Sequence, residues 1–519
     1  MDNFTIAIEP EEIFTALKNL KNSHHCGPDG IPSSNIKKCG HLLAYPLARI
    51  FSFSLSSGVF PDKWKTSFVL PIFKKGQRES IKNYRPICPI SAIPRLFEDI
   101  LHTRILNFVS NKISDHQHGF IPGKSITTNL IQLSNQVTCA LETGSQVDAI
   151  YLDLAKAFDS VDHQILLNKL NLFGFNESSI KWFQSYLKDR TQSVRLNSYS
   201  SEPFVVTSGV AQGSKLGPIL FAIFINDLFK VIRYSKLDLF ADDCRLSNII
   251  IKPEDAINLQ LDINSMVEWI QGNKLKINES KCHKITFSRN PDILNFPYKI
   301  GAHNIQPVEI ISDLGIVLDS KWSFNEHLRF VIAKAFKTIG FIKRTTCHFS
   351  SASTIIHLFK TLFLPNLNYG SIIWSPNTKK DLDSLNSVIK RFLRYIAFKL
   401  GKPMKVTEHD YSDISMECSL FNIESMHSLN DLSFVLDNLK SRISTPHFAD
   451  LFKKRNEIYE LRDQRPFKED IHRRSYIHHA PIHRMVRKWN LLPKELRDSL
   501  LDLNSSDKVQ LKNEILEHF

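Results

Sequence analysis

Paired cysteines are missing from this chain. Its eight cysteines are spread singly over 519 residues, and no two of them have the C-x-x-C spacing of a zinc knuckle. The same scatter gives no support to a disulfide framework, and free thiols are typical of proteins in a reducing intracellular compartment. We therefore expect neither structural zinc nor disulfide bonds.

Long apolar runs are missing as well. The densest one, Ile219–Ile225, is far shorter than the roughly 20 residues that span a bilayer, and it predicts a buried helix. The first residues, Met1–Phe4, lack the basic-then-apolar pattern of a secretory signal. No internal repeat or low-complexity tract stands out. We therefore expect no signal peptide, no transmembrane segment and no membrane partner.

Cations, in contrast, are abundant. Lysine and arginine total 66 against 53 aspartates and glutamates, which gives a formal net charge of +13. This balance suits a polyanionic partner, although a merely basic soluble protein would show it too. A hydrophobic content of 42% over this length predicts a large core, divided into roughly two to four lobes.

Hydrophobic periodicity predicts a mixed α/β core flanked by helical segments. Helical patterns occupy residues 1–60, 88–110 and 255–273 and dominate beyond residue 320. Alternating patterns predict strands at 67–73, 147–152, 274–277 and 284–287 and a hairpin over 191–207. After the strand at 147–152, Asp159 or Ser160 is expected to cap a helix that runs to Asn171.

Three aspartates at predicted strand ends are the most informative feature. Asp153 closes the strand at 147–152, and Asp242 and Asp243 lie at the predicted tip of a hairpin. Because neighbouring residues of a strand point to opposite faces, we expect Asp242, and not Asp243, to face Asp153. Carboxylates held close together suit Mg²⁺, and two such ions about 3.5–4 Å apart can clamp both oxygens of a phosphoryl transfer. Taken singly, each aspartate is more often a turn or cap residue.

Three motifs in a fixed order give the chain a family resemblance. Tyr151–Asp159 resembles motif A, Gly209–Pro218 resembles motif B and Phe240–Asp243 resembles motif C of the reverse transcriptases. The narrower resemblance is to those of non-LTR (LINE-type) retrotransposons of the jockey kind. It covers roughly residues 20–375, is strongest from 65 to 320 and follows the family only in outline after 320. It implies an α+β fold, the right-hand polymerase with fingers, palm and thumb.

The resemblance also implies an activity. The chain would be an RNA-directed DNA polymerase, a nucleotidyltransferase that copies retrotransposon RNA with dNTPs from the 3′-OH of a DNA or RNA primer. Asp153 and Asp242 would hold two Mg²⁺ ions, with Mn²⁺ as a substitute, and Asp243 would support the site. The expected location is the nucleus, at the site of integration. A maturase or telomerase-like polymerase and a catalytically silent RNA-binding remnant stay open as alternatives.

The same resemblance divides the chain into four regions. They are a helical N-terminal extension (1–53), a reverse transcriptase domain with fingers and palm (54–319), a thumb-like helical region (320–400) and a basic helical C-terminal region (401–519). No RNase H segment is apparent. The stretch ahead of the fingers is too short for the endonuclease domain that related elements carry, so we expect the chain to lack it.

Five further residues are candidates for nucleotide binding. The resemblance places Lys74, Lys75 and Arg85 in the fingers, where basic side chains close over the triphosphate. A solvated basic turn is the alternative for the two lysines. Gln212 and Gly213 lie at a predicted strand-to-helix junction. Gly213 would let the backbone approach the nucleotide, and exposed amides at the helix start would favour phosphate.

Four residues have roles that only the resemblance implies. Phe158 matches the aromatic residue that lies beneath the sugar and disfavours a ribose 2′-OH; without the resemblance it is more simply a core residue. Lys281 approximately matches a lysine proposed to protonate the pyrophosphate leaving group, and an exposed hairpin lysine is an equal alternative. Leu314 and Gly315 match the segment that grips the primer, where Gly315 permits close backbone approach.

Residues 452–497 interleave basic side chains with Tyr459, Phe467, Tyr476 and Trp489. Cations alternating with aromatic rings are typical of single-stranded nucleic-acid binders. Acidic residues dilute the charge of this segment, so a solvated helical surface with its own small core is the alternative.

Overall fold

The fold is that of a computed structural model, which describes residues 7–402, 412–443, 451–452, 466–470, 472 and 474–502. Within these residues the strands are, in chain order, β1 (Thr66–Phe73), β2 (Tyr84–Ile87), β3 (Gln146–Asp153), β4 (Arg190–Leu196), β5 (Tyr199–Ser200), β6 (Phe204–Val206), β7 (Lys236–Phe240), β8 (Asp243–Ile250), β9 (His283–Phe287), β10 (Lys299–Ile300), β11 (His303–Asn304), β12 (Gln306–Pro307), β13 (Ile310–Asp313) and β14 (Ile316–Asp319).

The helices up to the last strand are α1 (Pro10–Asn19), α2 (Ser33–Lys38), α3 (Gly40–Ser57), α4 (Ala92–Val109), α5 (Ile126–Thr143), α6 (His163–Leu172), α7 (Glu177–Leu187), α8 (Leu216–Ile225) and α9 (Pro253–Gly272). After it come α10 (Asn325–Thr345), α11 (Ala352–Leu362), α12 (Leu364–Asn368), α13 (Ser371–Trp374), α14 (Lys379–Lys399), α15 (Ser412–Glu417), α16 (Ile423–Leu439), α17 (Ser475–His478), α18 (Pro481–Leu491) and α19 (Lys494–Asp502). None of the described helices combines the length and apolar composition needed to cross a bilayer.

A five-stranded sheet carries the candidate site at one end. Its strand order is β12-β9-β3-β8-β7, and β3 pairs antiparallel with both β8 and β9. Side chains of β3 alternate between two hydrophobic clusters: Ala149 packs in one with α5 and the later helices, and Ile150 packs in the other with α8 and α9. The sheet is thus covered on both faces, which explains why its central strand is buried almost throughout.

A second five-stranded sheet presents basic residues toward the same end. Its strands run in the order β2-β1-β4-β5, and β6 pairs with β4. Strand β1 is antiparallel to β2 and parallel to β4. The Lys74–Gly76 turn therefore joins β1 to the segment that leads into β2.

Aromatic rings attach the N-terminal helices to the rest of the fold. Phe51 of α3 stacks on Phe97 of α4 with ring centroids 4.3 Å apart, and Phe60 meets Trp182 of α7 edge-on at 5.5 Å. All four rings are fully buried and belong to the hydrophobic cluster that also covers the central sheet. Pairs of buried aromatic rings stabilise the fold by more than the burial of their apolar surface area alone.

Most of the predicted elements are confirmed and two are corrected. The helices predicted at 88–110 and 255–273 match α4 and α9. The strand predicted at 274–277 is wrong, because only a single bridge, between Leu154 and Ile277, forms there. The helix after motif A begins at His163, and its cap is the Asp162 carboxylate, which accepts the Ile165 N–H, in place of Asp159 or Ser160.

Candidate active site

The three aspartates meet where β3 ends and the β7–β8 hairpin turns. Asp153 is the last residue of β3, and the antiparallel register sets it directly opposite Asp243, the first residue of β8. Asp242 occupies the two-residue turn with Ala241. The expectation that Asp242 alone would face Asp153 is too simple, since the directly opposed residue is Asp243 and Asp242 projects from the turn beside it.

The carboxylates repel one another, and this repulsion contributes to their raised pKa values. Burial raises the pKa of Asp243 to about 6, and the charges of Asp242, Asp313 and Asp153 add to this shift. Burial is also the main cause that raises the pKa of Asp242, where the charge of Asp153 acts in the same direction. Clustered carboxylates with raised pKa values gain from any positive charge placed between them.

The donor set fits a hard divalent cation. All three side chains offer carboxylate oxygens, the ligands that Mg²⁺ and Mn²⁺ prefer. Among the described residues, no three His, Cys, Asp or Glu side chains are already gathered around a point that could hold a metal ion. The Lys281 ammonium lies 3.3 Å from Asp153 Oδ2 and supplies a positive charge there. Both side chains are partly in solvent, so a cation can replace this ion pair at little cost.

Basic residues of the second sheet face the carboxylates. Lys74 follows β1, and its backbone N–H donates to the Asn83 carbonyl; Arg85 lies on β2 opposite Ile72. The positive charges of Arg85 and Lys74 both act to lower the pKa of Asp242, against the larger effect of burial. Lys75 lies exposed in the same turn. The structure thus brings Lys74 and Arg85 within electrostatic reach of the aspartates.

The loop of motif B packs against Cys88, the residue that follows β2, and its contacts correct one expectation. Gly213 has a φ of 123°, and a Cβ there would lie 2.8 Å from the Cys88 carbonyl oxygen. Gln212 donates from Nε2 to Asp159 Oδ1 at 3.0 Å. The amides of Lys215 and Leu216, at the start of α8, donate to the buried Glu98 carboxylate. These helix-start amides are therefore already bonded, where we expected them to be exposed to phosphate.

Phe158 lies at the edge of the site and is half-buried. Its ring stacks on Phe221 of α8 at a centroid distance of 4.5 Å and meets Phe120 edge-on at 6.4 Å. These contacts agree with a packing role, and the remaining exposure leaves one edge available to a ligand. The role of Phe158 as a sugar gate stays a prediction.

The predicted primer-grip residues form a tight hairpin turn. Leu314 and Gly315 join β13 to β14 and have φ angles of 45° and 85°. The Tyr369 hydroxyl donates to the Leu314 carbonyl at 2.7 Å, and a Cβ on Gly315 would lie 3.0 Å from the Tyr369 ring. Glycine thus allows the ring to cover the turn.

A glutamine that sequence reasoning missed holds the aspartate turn. The Gln117 side chain, which is fully buried, accepts the Ala241 N–H at 3.0 Å and the Gly119 N–H at 2.8 Å. Ala241 has a φ of 57°, in the left-handed region that residues with a Cβ seldom adopt. No local pattern marks this contact, because Gln117 lies in a loop more than a hundred residues earlier.

A buried ion cluster behind the aspartates was missed as well. Arg245 of β8 contacts Asp238 of β7 and Asp313 of β13 and is 3% exposed. A signal for it did exist in the sequence, because Asp238 and Arg245 are charged residues within otherwise apolar strands, and a lone buried charge requires a partner.

The described part of segment 452–497 directs its positive charge at the protein itself. Arg484 and Lys488 of α18 both bond to the buried Asp431 of α16, and Arg474 donates to the Leu141 carbonyl of α5. Arg487 donates to the His478 carbonyl. The other basic residues on which the prediction for this segment rests lie outside the described residues: Lys453, Lys454, Arg455, Arg462, Arg465 and Arg473. A role of this segment in nucleic-acid binding stays a prediction.

A comparison with protein families matches residues 72–341 to the family described as reverse transcriptase (RNA-dependent DNA polymerase). The match begins within β1 and ends within α10, so it includes both sheets, the three aspartates and the Leu314–Gly315 turn.

Individual relatives are transposon proteins. The chain is 27% identical over 409 residues to the probable RNA-directed DNA polymerase from transposon BS of Drosophila melanogaster, with 75% of this chain and 44% of that protein covered. It is 25% identical over 427 residues to the RNA-directed DNA polymerase from mobile element jockey of the same organism, with 78% and 45% covered. The chain thus spans less than half the length of these relatives.

Among solved structures, telomerase from Candida albicans in complex with a TWJ fragment of telomeric RNA aligns with a TM-score of 0.36 at 12% identity. The alignment covers 78% of this chain and 68% of that one.

Proposed function

Since the chain belongs to the reverse transcriptase (RNA-dependent DNA polymerase) family, we propose that it copies RNA into DNA from the 3′-OH of a DNA or RNA primer. The observation that carries this proposal is the meeting of three aspartates with two basic residues. Asp153, Asp242 and Asp243 lie at one end of the central sheet, and Lys74 and Arg85 reach toward them from the other sheet. In-line transfer of a nucleotide needs carboxylates that hold cations and basic side chains that hold the triphosphate, close to one another.

The aspartates would hold divalent cations. Asp153 offers its carboxylate from the end of β3 and Asp242 from the turn between β7 and β8, and Asp243 adds a third at the start of β8. Two Mg²⁺ ions, or Mn²⁺ in their place, would lower the charge of the attacking primer oxygen and of the leaving pyrophosphate. The three carboxylates repel one another in the folded chain, so cation binding would relieve this electrostatic repulsion.

The basic residues would hold the triphosphate. Arg85 can engage two phosphate oxygens at once through its planar guanidinium, and Lys74 contributes a point charge at the start of the turn. Lys75 is exposed in the same turn and would add positive charge when the turn closes over the triphosphate. Lys281 would serve as the acid for pyrophosphate. Its ammonium is paired with Asp153 and would be released when a cation takes its place.

The remaining candidates would fix the nucleotide and the primer. Gln212 is held in place by its hydrogen bond to Asp159. Gly213 lies where a side chain would clash with the backbone carbonyl of Cys88. Phe158 would lie beneath the sugar and disfavour a 2′-OH. The Leu314–Gly315 turn would contact the primer end.

The relatives suggest the biological setting. We propose that the template is the RNA of a jockey-like non-LTR retrotransposon and that synthesis takes place in the nucleus, at the site of integration. The proposed division is a helical extension (1–53), fingers and palm (54–319), a thumb-like region (320–400) and a basic C-terminal region (401–519).

A primer-extension assay tests the proposal. Purified protein is incubated with an RNA template, an annealed DNA primer, dNTPs and Mg²⁺, and the products are sequenced. The expected result is DNA complementary to the template, which disappears when RNA is omitted or EDTA is added. RNA binding without any synthesis, at any Mg²⁺ or Mn²⁺ concentration, would instead identify a catalytically silent RNA-binding protein.

A further inference from the structure

The hairpin that carries Leu314 and Gly315 is a sheet of its own. Strands β13 and β14 pair only with each other among the described strands. A backbone hydrogen bond from the Ser288 N–H to the Ser320 carbonyl reaches the base of the hairpin, at the end away from its turn. Ile316 and Leu318 of β14 anchor the hairpin in the hydrophobic cluster that α10 also joins. The position of the turn relative to the aspartates depends in addition on side-chain contacts near its tip.

Asp313, the residue before the turn, makes such a contact. Its Oδ2 accepts hydrogen bonds from Arg245 Nη1 and, at 2.8 Å, from the Tyr151 hydroxyl. Tyr151 is two residues before Asp153 on β3, and Arg245 is two residues after Asp243 on β8. Because strand side chains alternate with a period of two, these contacts come from the same face of the sheet as Asp153 and Asp243.

Arg245 is itself fixed from two further elements. Its Nη2 donates to Asp238 Oδ2 of β7 at 2.8 Å and to Asn129 Oδ1 of α5 at 3.1 Å. One guanidinium thus ties together both strands of the aspartate hairpin, the helix beneath them and the Leu314–Gly315 hairpin. Arginine suits this task because its planar fork carries donors on separate nitrogens in fixed directions, whereas the three donors of lysine share one nitrogen.

The cluster contributes little net stability for the free energy that burying its charges costs. Arg245 is 3% exposed, and Asp238 and Asp313 are 1% and 7% exposed. Arg245 Nε and Asp238 Oδ1 have no hydrogen-bond partner in the described part of the chain. Buried ion clusters of this kind are often replaced by apolar side chains without loss of stability, so their geometry is the more informative property.

We propose that Arg245 and Asp313 are positioning residues that hold the Leu314–Gly315 turn in register with the three catalytic aspartates. The inference rests on the proposed function and adds to it the way in which the primer end is aligned. Arg245 touches neither primer nor nucleotide; it acts through the hairpin. A displacement of the primer 3′-OH by about 1 Å is enough to slow an in-line transfer about a hundredfold.

Two variants test the inference. Arg245→Lys keeps the charge but has all its donors on one nitrogen, so it cannot reproduce the separate bonds of Nη1 to Asp313 and of Nη2 to Asp238 and Asn129. Asp313→Asn keeps the shape and an acceptor oxygen but loses the charge. Arg484→Lys serves as the matched control, because Arg484 makes a comparable buried pair with Asp431, at 2.8 and 2.9 Å. Arg484 is 7% exposed and is bonded inward, so it is not part of the surface of segment 452–497 that we expect to contact RNA.

Activity is the first readout. Arg245→Lys is expected to lower kcat for primer extension about tenfold to a hundredfold, with RNA affinity within about twofold of wild type. Asp313→Asn is expected to lower kcat in the same direction, because the amide oxygen can still accept from Tyr151 but no longer forms a charged bond with Arg245. Arg484→Lys is expected to leave kcat per folded molecule unchanged.

Hydrogen exchange is the second readout, and it does not require activity. Arg245→Lys should speed amide exchange in the peptide that spans 310–319, and Arg484→Lys should not. Wild-type kcat together with unchanged exchange in Arg245→Lys, or an equal loss of kcat in Arg484→Lys, would overturn the inference. A wild-type protein that fails to extend primers would refute the proposed function, and exchange would still decide whether Arg245 holds the hairpin.

Discussion

Removing the Gln117 side chain should loosen the turn that presents Asp242. Gln117→Ala leaves the N–H groups of Ala241 and Gly119 without their acceptor, and both groups are buried. A buried donor without a partner costs about 1–3 kcal/mol. Because water can enter part of the vacated space, we expect the variant to lose about 2–4 kcal/mol of unfolding free energy.

The backbone of Ala241 predicts a second substitution, one that raises the unfolding free energy. A φ of 57° costs a residue with a Cβ about 1–2 kcal/mol, and glycine avoids that cost. Ala241→Gly should therefore offset part of the loss in a Gln117→Ala background. Gln132→Ala, which removes another buried glutamine, is the matched control, since the hydrogen bonds of the turn come from Gln117.

Urea unfolding of the three variants, together with primer extension, provides the assay. We expect Gln117→Ala to lower both stability and kcat, and Gln132→Ala to lower stability alone. A Gln117→Ala protein within about 0.5 kcal/mol of wild type, a change typical of surface substitutions, would refute the reasoning. Wild-type kcat in the same variant would show that the turn does not need this support.

Three further predictions concern the site and the C-terminal segment. Phe158→Ala should raise ribonucleotide incorporation relative to deoxynucleotide incorporation; lowered stability with unchanged sugar selectivity would favour a packing role, and side-by-side kinetics separate the two. The pKa of Asp243, raised to about 6, predicts that calorimetric Mg²⁺ affinity falls about tenfold per pH unit below 6. Because this folded-state pKa is raised, the metal-free protein should lose stability as pH rises through about 6, and Asp243→Asn should not. Removing residues 452–497 should reduce the salt dependence of RNA binding, by about 0.7 in slope for each lost phosphate contact; an unchanged slope would contradict a role in binding.

Local patterns predicted much of the fold because they report local physics. The alternation before Asp153 and the apolar runs around the Asp242–Asp243 turn indicated a strand and a hairpin, and both are present. Helices α4 and α9 follow from the spacing of their apolar residues. The register between β3 and β8 could not be predicted in this way, since alternation alone does not say which residues oppose each other.

The supporting contacts of the site could not be predicted because they join distant parts of the chain. Gln117 reaches Ala241 across 124 positions, Glu98 reaches Lys215 across 117, and Arg245 reaches Asp313 across 68. The contact between Arg245 and Asp313 lies wholly outside the three motifs that reveal the family, and the other two contacts each reach a motif residue from outside. Motifs mark residues that meet the substrate, and the side chains that hold those residues in place follow no comparable spacing.

The most direct test of the account is Mg²⁺-dependent primer extension on an RNA template by the Asp153→Asn and Asp242→Asn variants. Each change removes the charge of one proposed metal ligand and keeps its shape. The account predicts that each variant loses DNA synthesis while it binds RNA as the wild type does, and that Asp243→Asn is milder. Near wild-type extension by either Asp153→Asn or Asp242→Asn at saturating Mg²⁺ would contradict it.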